Sequence, residues 1–397
     1  MSDMLNNKRL HILLLAKWYP NDNDPQLGVF IQKHAKAIAE YCNVSVLFIT
    51  SSDLLFNDKF IVKSDKKKYL STTIIYFKQS SSNLYIIKKI VNIIRYIKSV
   101  FKGYKIICEQ KSKPDLVHSN VLLRTGIIAL FIYFFNNIPY IITEHWSGFI
   151  NSEFENKNFL YKYLTKLVVK KSKAVTIVSK QLRDAMIVKG LKNQYYVIPN
   201  VIEVENYKIK TDNNTVIILT VADLVDKTKN ISGIIKAIYE VKNKYPDIEY
   251  HIIGDGIDKD NLKKLAKDLN LYNKTVFFHG RQPNEYVLNF MQKIDFFVLN
   301  SNLETFSVVT AEALANGKPV VATRCGGPEA FVNDKTGILV EPKNQKQLED
   351  AILYMIKHYK DYNPQYLSDS IKKDYNSKII GKKFFDIYLK IRRADKL

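Results

Sequence analysis

Apolar runs of strand length alternate with segments of helical period along nearly the whole chain. The strands predicted in the first half cover residues 10–15, 44–49, 73–77, 115–118, 139–143, 174–178 and 196–198; those of the second half cover 216–221, 249–253, 275–278, 295–299, 319–322 and 338–340. Helix-length segments fall between most of them, among others at 29–41, 84–101, 122–135 and 180–189. Strands that are apolar throughout, rather than alternating, are buried on both faces, and with crossover helices they imply parallel sheets. The polar, charged stretch 200–214 reads as a linker. Two doubly wound α/β domains, residues 1–200 and 201–377, are therefore expected to face a central cleft. Ligands of such sheets bind beyond the carboxyl ends of the strands, in the loops that lead into helices. The closing segment 378–393 has apolar residues at helical period, among them Ile380, Phe384, Ile387 and Tyr388.

The most informative stretch is 301–328, SNLETFSVVTAEALANGKPVVATRCGGP. Glu304 and Glu312 stand eight apart, Thr305 and Ser307 mark a helix start, and the strand 319–322 leads to the turn Gly326-Gly327-Pro328. Eight residues of helix turn through roughly 800°, so both carboxylates would lie about 80° apart and two turns apart along the axis. Free N–H groups and the helix dipole at the start favour a phosphate. Carboxylates accept paired sugar hydroxyls, so the arrangement suits a sugar nucleotide; taken on spacing alone, a capped surface helix with two solvated Glu fits as well.

Glu, seven residues, Glu, then ALANGKPVVAT and a Gly-Gly-Pro turn resembles the signature of the retaining glycosyltransferases of family 4, which have the two-domain GT-B fold. The resemblance extends to two more segments in order: Gly254-Asp255-Gly256 after one strand and His279-Gly280-Arg281 after the next. It implies that Glu312 binds the ribose hydroxyls and Glu304 holds the donor sugar. Amides from Thr305 and Phe306 through Ser307 to Val308 take the diphosphate with Lys229. Gly254 and Gly256 approach the nucleotide, and Arg281 reaches its phosphates. In the first domain, Gly28 would stand near the donor phosphates and His145 near the donor sugar and acceptor. His118 is a second, weaker cleft candidate. The final helix, 378–397, would cross back onto the first domain. One departure stands out: the family pattern has Arg where this chain has Asp223, six residues before Lys229. An anion there repels a diphosphate. Either Lys227 or Arg281 substitutes, or Asp223 faces away, or activity is reduced; substitution is the favoured expectation.

Composition changes the picture in one respect. A hydrophobic fraction of 46% is ordinary, but the net charge is +21. Such a field attracts polyanions without choosing among nucleic acid, anionic membrane and phosphorylated substrate. No zinc-finger spacing, RNP strand or arginine-rich arm is present, so no nucleic-acid partner is expected. An AT-rich genome would also give a lysine excess in a chain rich in Ile, Asn and Tyr. Cys42, Cys108 and Cys325 have neither metal nor disulfide spacing and fit a reducing cytoplasm. The acid pairs Asp22/Asp24 and Asp258/Asp260 read as a turn and a helix start, so no metal and no cofactor is expected. The apolar run 127–135 is too short to span a membrane, and the N-terminus lacks a signal cleavage site. Residues 84–102 set Ile against Lys as a basic amphipathic helix. It reads as a surface anchor on anionic lipid, aided by Lys162, Lys166, Lys170 and Lys171, or as a helix packing its apolar face on the sheet; the α/β context favours packing.

The expected activity is a metal-independent hexosyltransferase acting from a nucleoside diphosphate sugar onto a glycan or lipid-linked glycan of surface polysaccharide, at the cytoplasmic side of the membrane. Charge neutralisation at the leaving phosphate is the main lever, with same-face attack favoured over Glu304 as a covalent nucleophile. The alternatives are a GT-B chain that binds glycan or a partner without turnover, and a nucleotide-sugar epimerase, whose acid/base groups the sequence does not offer.

Overall fold

The structure, a computed structural model, describes residues 9–52, 59–203 and 215–394. Most of the linker expected at 200–214, and the start of the chain before residue 9, lie outside the described residues. The chain divides into two compact units, Met1–Val201 with Ser377–Leu397, and Ile202–Asn376.

The first unit is built on eight strands: β1 His11–Ala16, β2 Asn43–Ser52, β3 Phe60–Lys66, β4 Leu70–Lys78, β5 Leu116–Asn120, β6 Tyr140–Glu144, β7 Ala174–Ile177 and β8 Tyr195–Val197. Their order is β3-β4-β2-β1-β5-β6-β7-β8, parallel except for β3, which runs antiparallel to β4. Every residue of β1 is buried, as a central strand covered on both faces requires. The sequence pattern misses β3 because this edge strand, FIVKSDK, is half polar and its last four residues are exposed.

The second unit holds β9 Val216–Val221, β10 Ile248–Ile253, β11 Val276–Phe278, β12 Phe296–Leu299, β13 Val320–Thr323 and β14 Gly337–Val340. All are parallel, in the order β11-β10-β9-β12-β13-β14. From β9 the chain winds one way to β10 and β11, then returns to β12 on the other side. The topological switch point therefore lies between β9 and β12, where such sheets bind ligands.

The last helix, Ser377–Ala394, belongs to the first unit. Ile380, Phe384, Ile387, Tyr388 and Ile391 enter the same core as β1, β2 and the helix Val29–Ala39. The crossing is tight: a Cβ on Gly381 would lie 2.2 Å from the Ala37 carbonyl oxygen. His118, expected near a cleft, is instead fully buried in β5. Its Nδ1 lies 2.7 Å from the Tyr388 hydroxyl and its Nε2 2.5 Å from Thr143 Oγ1. It ties the final helix to the sheet, and burial holds its pKa at about 3, so the ring is neutral.

Candidate active site

The loops after β9 and β12 carry Lys229 and Glu304, and the switch point brings them together. Residues Asp226–Lys229 form one helical turn, closed by Asn230 in the left-handed region at φ 46°. Lys229 Nζ donates to Glu304 Oε1 at 2.6 Å, and Ser301 Oγ donates to the same oxygen at 2.7 Å. Both side chains are largely buried, 22% and 13% exposed. Burial works against the Lys229 charge, but the Glu304 carboxylate, with Asp223 adding to it, outweighs that cost and raises the ammonium pKa. The neighbouring loops are stitched by backbone bonds. Asn302 N donates to Thr228 O at 2.7 Å, and Glu304 N to Cys325 O at 2.9 Å. Thr323 Oγ1 donates to Ser301 O at 2.5 Å.

The helix of this segment runs Val308–Ala315, so Glu304 is not on it. The helical spacing of the two carboxylates is thereby corrected: Glu304 sits in the preceding loop, held by Lys229 and Ser301, whereas Glu312 is buried within the helix. The cause is Ser307, whose left-handed backbone (φ 66°, ψ 70°) breaks the helix immediately before Val308. A non-glycine residue in that region is strained, and such strain gathers at ligand sites. The Ser307 hydroxyl does not cap the helix but pairs with Thr310 Oγ1 at 2.7 Å. The first N–H groups of the helix are thus left for another acceptor. Phe306 is buried against Phe331 and Tyr375, while Thr305 is half-buried.

Gly254 and Gly256 serve backbone packing. Gly254 has φ 150°, and a Cβ there would meet the Ala222 carbonyl oxygen at 1.8 Å; at Gly256 it would meet Leu224 O at 2.5 Å. The turn is pressed on the loop after β9, with Leu224 N donating to Asp255 O at 2.9 Å and Gly254 N to Gly280 O at 2.9 Å. Arg281 is exposed on that third loop. Lys227 is likewise exposed, and so is Asp223, yet the Asp223 carboxylate is close enough to Lys229 to raise its pKa. The Lys229 ammonium thus carries Glu304 as its direct partner and Asp223 only as a more distant charge. A polar cavity of about 360 Å³ nearby is lined by Asp226, Lys227, Asn230, Asn300, Asn302 and Lys343, but by neither Lys229 nor Glu304.

In the first unit, Gly28 caps the helix Val29–Ala39 at φ 66°, and a Cβ there would meet the Trp18 backbone at 2.5 Å. His145 follows β6 directly and is buried under Phe30, ring centroids 4.6 Å apart. Burial, with His34 and His118 near by, holds its pKa well below the usual value, and its Nε2 has no partner among the described residues. It is a neutral hydrogen-bonding group rather than an imidazolium. Sequence reasoning missed Glu144, whose signal is an acid ending an apolar strand. Its buried Oε1 accepts from His145 N and Trp146 N, each at 2.8 Å, and its Oε2 from Leu122 N at 2.9 Å. Burial raises its pKa against these three donors. It fixes the turn that presents His145. Of the two acid pairs read as a turn and a helix start, Asp22 pairs with Lys63 Nζ at 2.5 Å, and Asp258 Oδ2 accepts from Asp226 N at 2.8 Å.

Residues 202–372 match the family model described as Glycosyl transferases group 1, and residues 70–206 the one described as Glycosyltransferase Family 4. The chain is 29% identical over 368 residues (89% of this chain, 93% of the relative) to the N-acetylgalactosamine-N,N'-diacetylbacillosaminyl-diphospho-undecaprenol 4-alpha-N-acetylgalactosaminyltransferase of Campylobacter jejuni. Its fold is similar to that of a sucrose-phosphate synthase from Thermosynechococcus elongatus, with TM-score 0.75 at 18% identity, covering 97% of this chain and 100% of that one. It is also similar to Anabaena HepE in complex with UDP and glucose, with TM-score 0.70 at 18% identity over 95% and 99% of the two chains.

Proposed function

From the premise that this chain is a GT-B glycosyltransferase of glycan biosynthesis, we propose that it moves a hexose-type sugar from a nucleoside diphosphate to a hydroxyl of a lipid-linked glycan, with retention and without a metal. The second unit holds the donor and the first the acceptor, at the cytoplasmic face of a membrane. The observation that carries the reading is the Lys229–Glu304 pair at the switch point, with an uncapped, strained helix start three residues further on. In this reading Lys229 and the N–H groups from Phe306 to Val308 take the diphosphate, neutralising the leaving group as the anomeric bond breaks. Glu304 holds the donor sugar and Glu312 the ribose. His145, kept neutral, hydrogen-bonds sugar or acceptor. The carrier lipid is suggested by the relative in Campylobacter jejuni, whose name places its acceptor on diphospho-undecaprenol. The nucleotide is suggested by the UDP complex of HepE.

Release of free nucleoside diphosphate from UDP-, GDP- and dTDP-sugars, compared between wild type and Glu312→Ala, tests this. Slow release from one donor, lost in the variant, is expected. No release from any donor, together with no thermal shift by any nucleoside diphosphate, would sink the donor site. The second reading, a GT-B chain that binds glycan without turnover, rests on Asp223 beside Lys229. Nucleotide binding without hydrolysis or transfer would favour it.

A further inference from the structure

The helix Tyr85–Lys111 buries only Ser99, Gly103 and Ile107. A basic amphipathic helix in an α/β domain is expected to lay its isoleucines on the sheet; here Ile86 is 70% exposed, Ile90 51% and Ile97 47%. The same exposure continues on the neighbouring helix Leu122–Asn136. The Phe101 ring meets Phe131 at 6.2 Å, Phe131 meets Phe135 at 4.2 Å, and all three are exposed. A third helix, Phe159–Lys171, packs along the second and starts with Phe159, 82% exposed. Monomeric proteins rarely leave so many large apolar groups in water over one set of adjacent helices.

Charge decides what covers them. The three helices carry seven, one and four basic residues and a single acid, Glu109. Lys88, Lys89, Lys98, Lys102, Lys166 and Lys170 are exposed among the apolar groups. Two copies of this face would repel each other, which disfavours self-association. Interleaved Ile and Phe with Lys stems that can reach up to headgroups is the composition of a helix lying in an anionic interface. At 27 residues the first helix offers about 40 Å of such surface. No described helix is long and apolar enough to cross a membrane.

We propose that this outer helical layer of the first unit docks on a bilayer rich in anionic phospholipid, with the exposed isoleucines of the first helix and Phe131, Phe135 and Phe159 entering the acyl boundary. The proposal deepens the reading of a lipid-linked acceptor and rests on it. Docking would bring the acceptor-side unit to the leaflet in which a lipid carrier lies, so transfer would need no soluble acceptor.

The test is co-sedimentation of the full chain with vesicles of phosphatidylcholine alone or mixed with phosphatidylglycerol, at low and high salt. The variants are Lys88→Glu/Lys89→Glu/Lys98→Glu and Ile86→Ser/Phe135→Ser. All five side chains are exposed, so both variants should fold, which a thermal melt checks. Wild type should favour the anionic vesicles by about tenfold or more and lose that preference in high salt; each variant should lose a similar factor. Equal binding to both vesicles, variants that bind like wild type, or a wild-type dimer that the variants dissociate would overturn the proposal. The thermal shift by UDP, GDP or dTDP, measured without vesicles, separates the two readings. Its loss alongside intact, charge-dependent vesicle binding would remove the transferase reading and leave the docking surface standing.

Discussion

Lys229 and Glu304 meet at 2.6 Å across the switch point of the second sheet, so the cation that should receive a diphosphate is already held by the carboxylate that should receive a sugar. The two roles can be separated. In Glu304→Gln the competing anion is gone and Lys229 is freer to meet phosphate. Nucleoside diphosphate should then bind severalfold tighter, because a charge-assisted hydrogen bond is worth about 1.5–3 kcal/mol. If Glu304 also holds the donor sugar in the transition state, kcat should fall by about a hundredfold in the same variant. Calorimetry of nucleotide binding beside initial rates reads both. Unchanged kcat would reduce Glu304 to a counter-ion of Lys229.

Asp223 is exposed, and it acts on Lys229 through space. Its charge opposes the approach of a diphosphate by about 1 kcal/mol, given two negative charges several Å away in a watery dielectric. Asp223→Asn should therefore lower the Kd of a nucleoside diphosphate by about fivefold at low salt, and the gain should shrink as salt rises. Binding isotherms at two ionic strengths check this. Weaker binding in the variant would mean that Asp223 contributes by orienting Lys229.

The parallel strands are legible because burial on both faces writes them as unbroken apolar runs; the exposed edge β3 has no such run and was missed. The candidate site was legible as motif and not as geometry. Nothing in the residue pattern at 301–308 tells that Ser307 adopts a left-handed backbone and moves Glu304 off the helix. Glycines 254 and 256 read as ligand approach, and that reading gives no hint that the fold also uses them to press one loop backbone on another. The helix Tyr85–Lys111 was amphipathic in sequence, but its direction relative to the sheet is a tertiary fact. Ser99, Gly103 and Ile107 make the contact, whereas Ile86, Ile90 and Ile97 stay exposed.

The final helix meets the helix Val29–Ala39 at Gly381, where a methyl group would press on a backbone oxygen. Alanine favours a helix over glycine by about 1 kcal/mol, so a free helix would gain from Gly381→Ala. Here the clash should win, with a net loss of about 1–3 kcal/mol as in overpacked cores. Both tryptophans, Trp18 and Trp146, lie in the first unit, so their fluorescence follows its unfolding alone. A lower urea midpoint by that signal is expected; a higher one would show that the helices can part at no cost.

The same signal tests the buried histidines of the first unit. His34 donates from Nε2 to Pro199 O at 3.1 Å, and burial lowers its pKa to about 4. His118, also buried, sits at about 3, and His145 lies well below its usual value. All three are neutral in the folded unit, whereas unfolded histidine titrates near 6.5. Between pH 6.5 and 4 the unfolded chain binds more protons, so stability rises with pH in that window and is lost as pH falls through it. Each histidine contributes up to about 1.4 kcal/mol per pH unit there. Above pH 6.5 their contribution is complete and flat. Urea unfolding of the first unit should therefore weaken steeply from pH 6.5 to 4.5, and His34→Gln, which keeps a donor for Pro199 without a titrating ring, should remove about one histidine's share of the slope. A variant with the wild-type slope would mean that His34 reaches water before the unit unfolds.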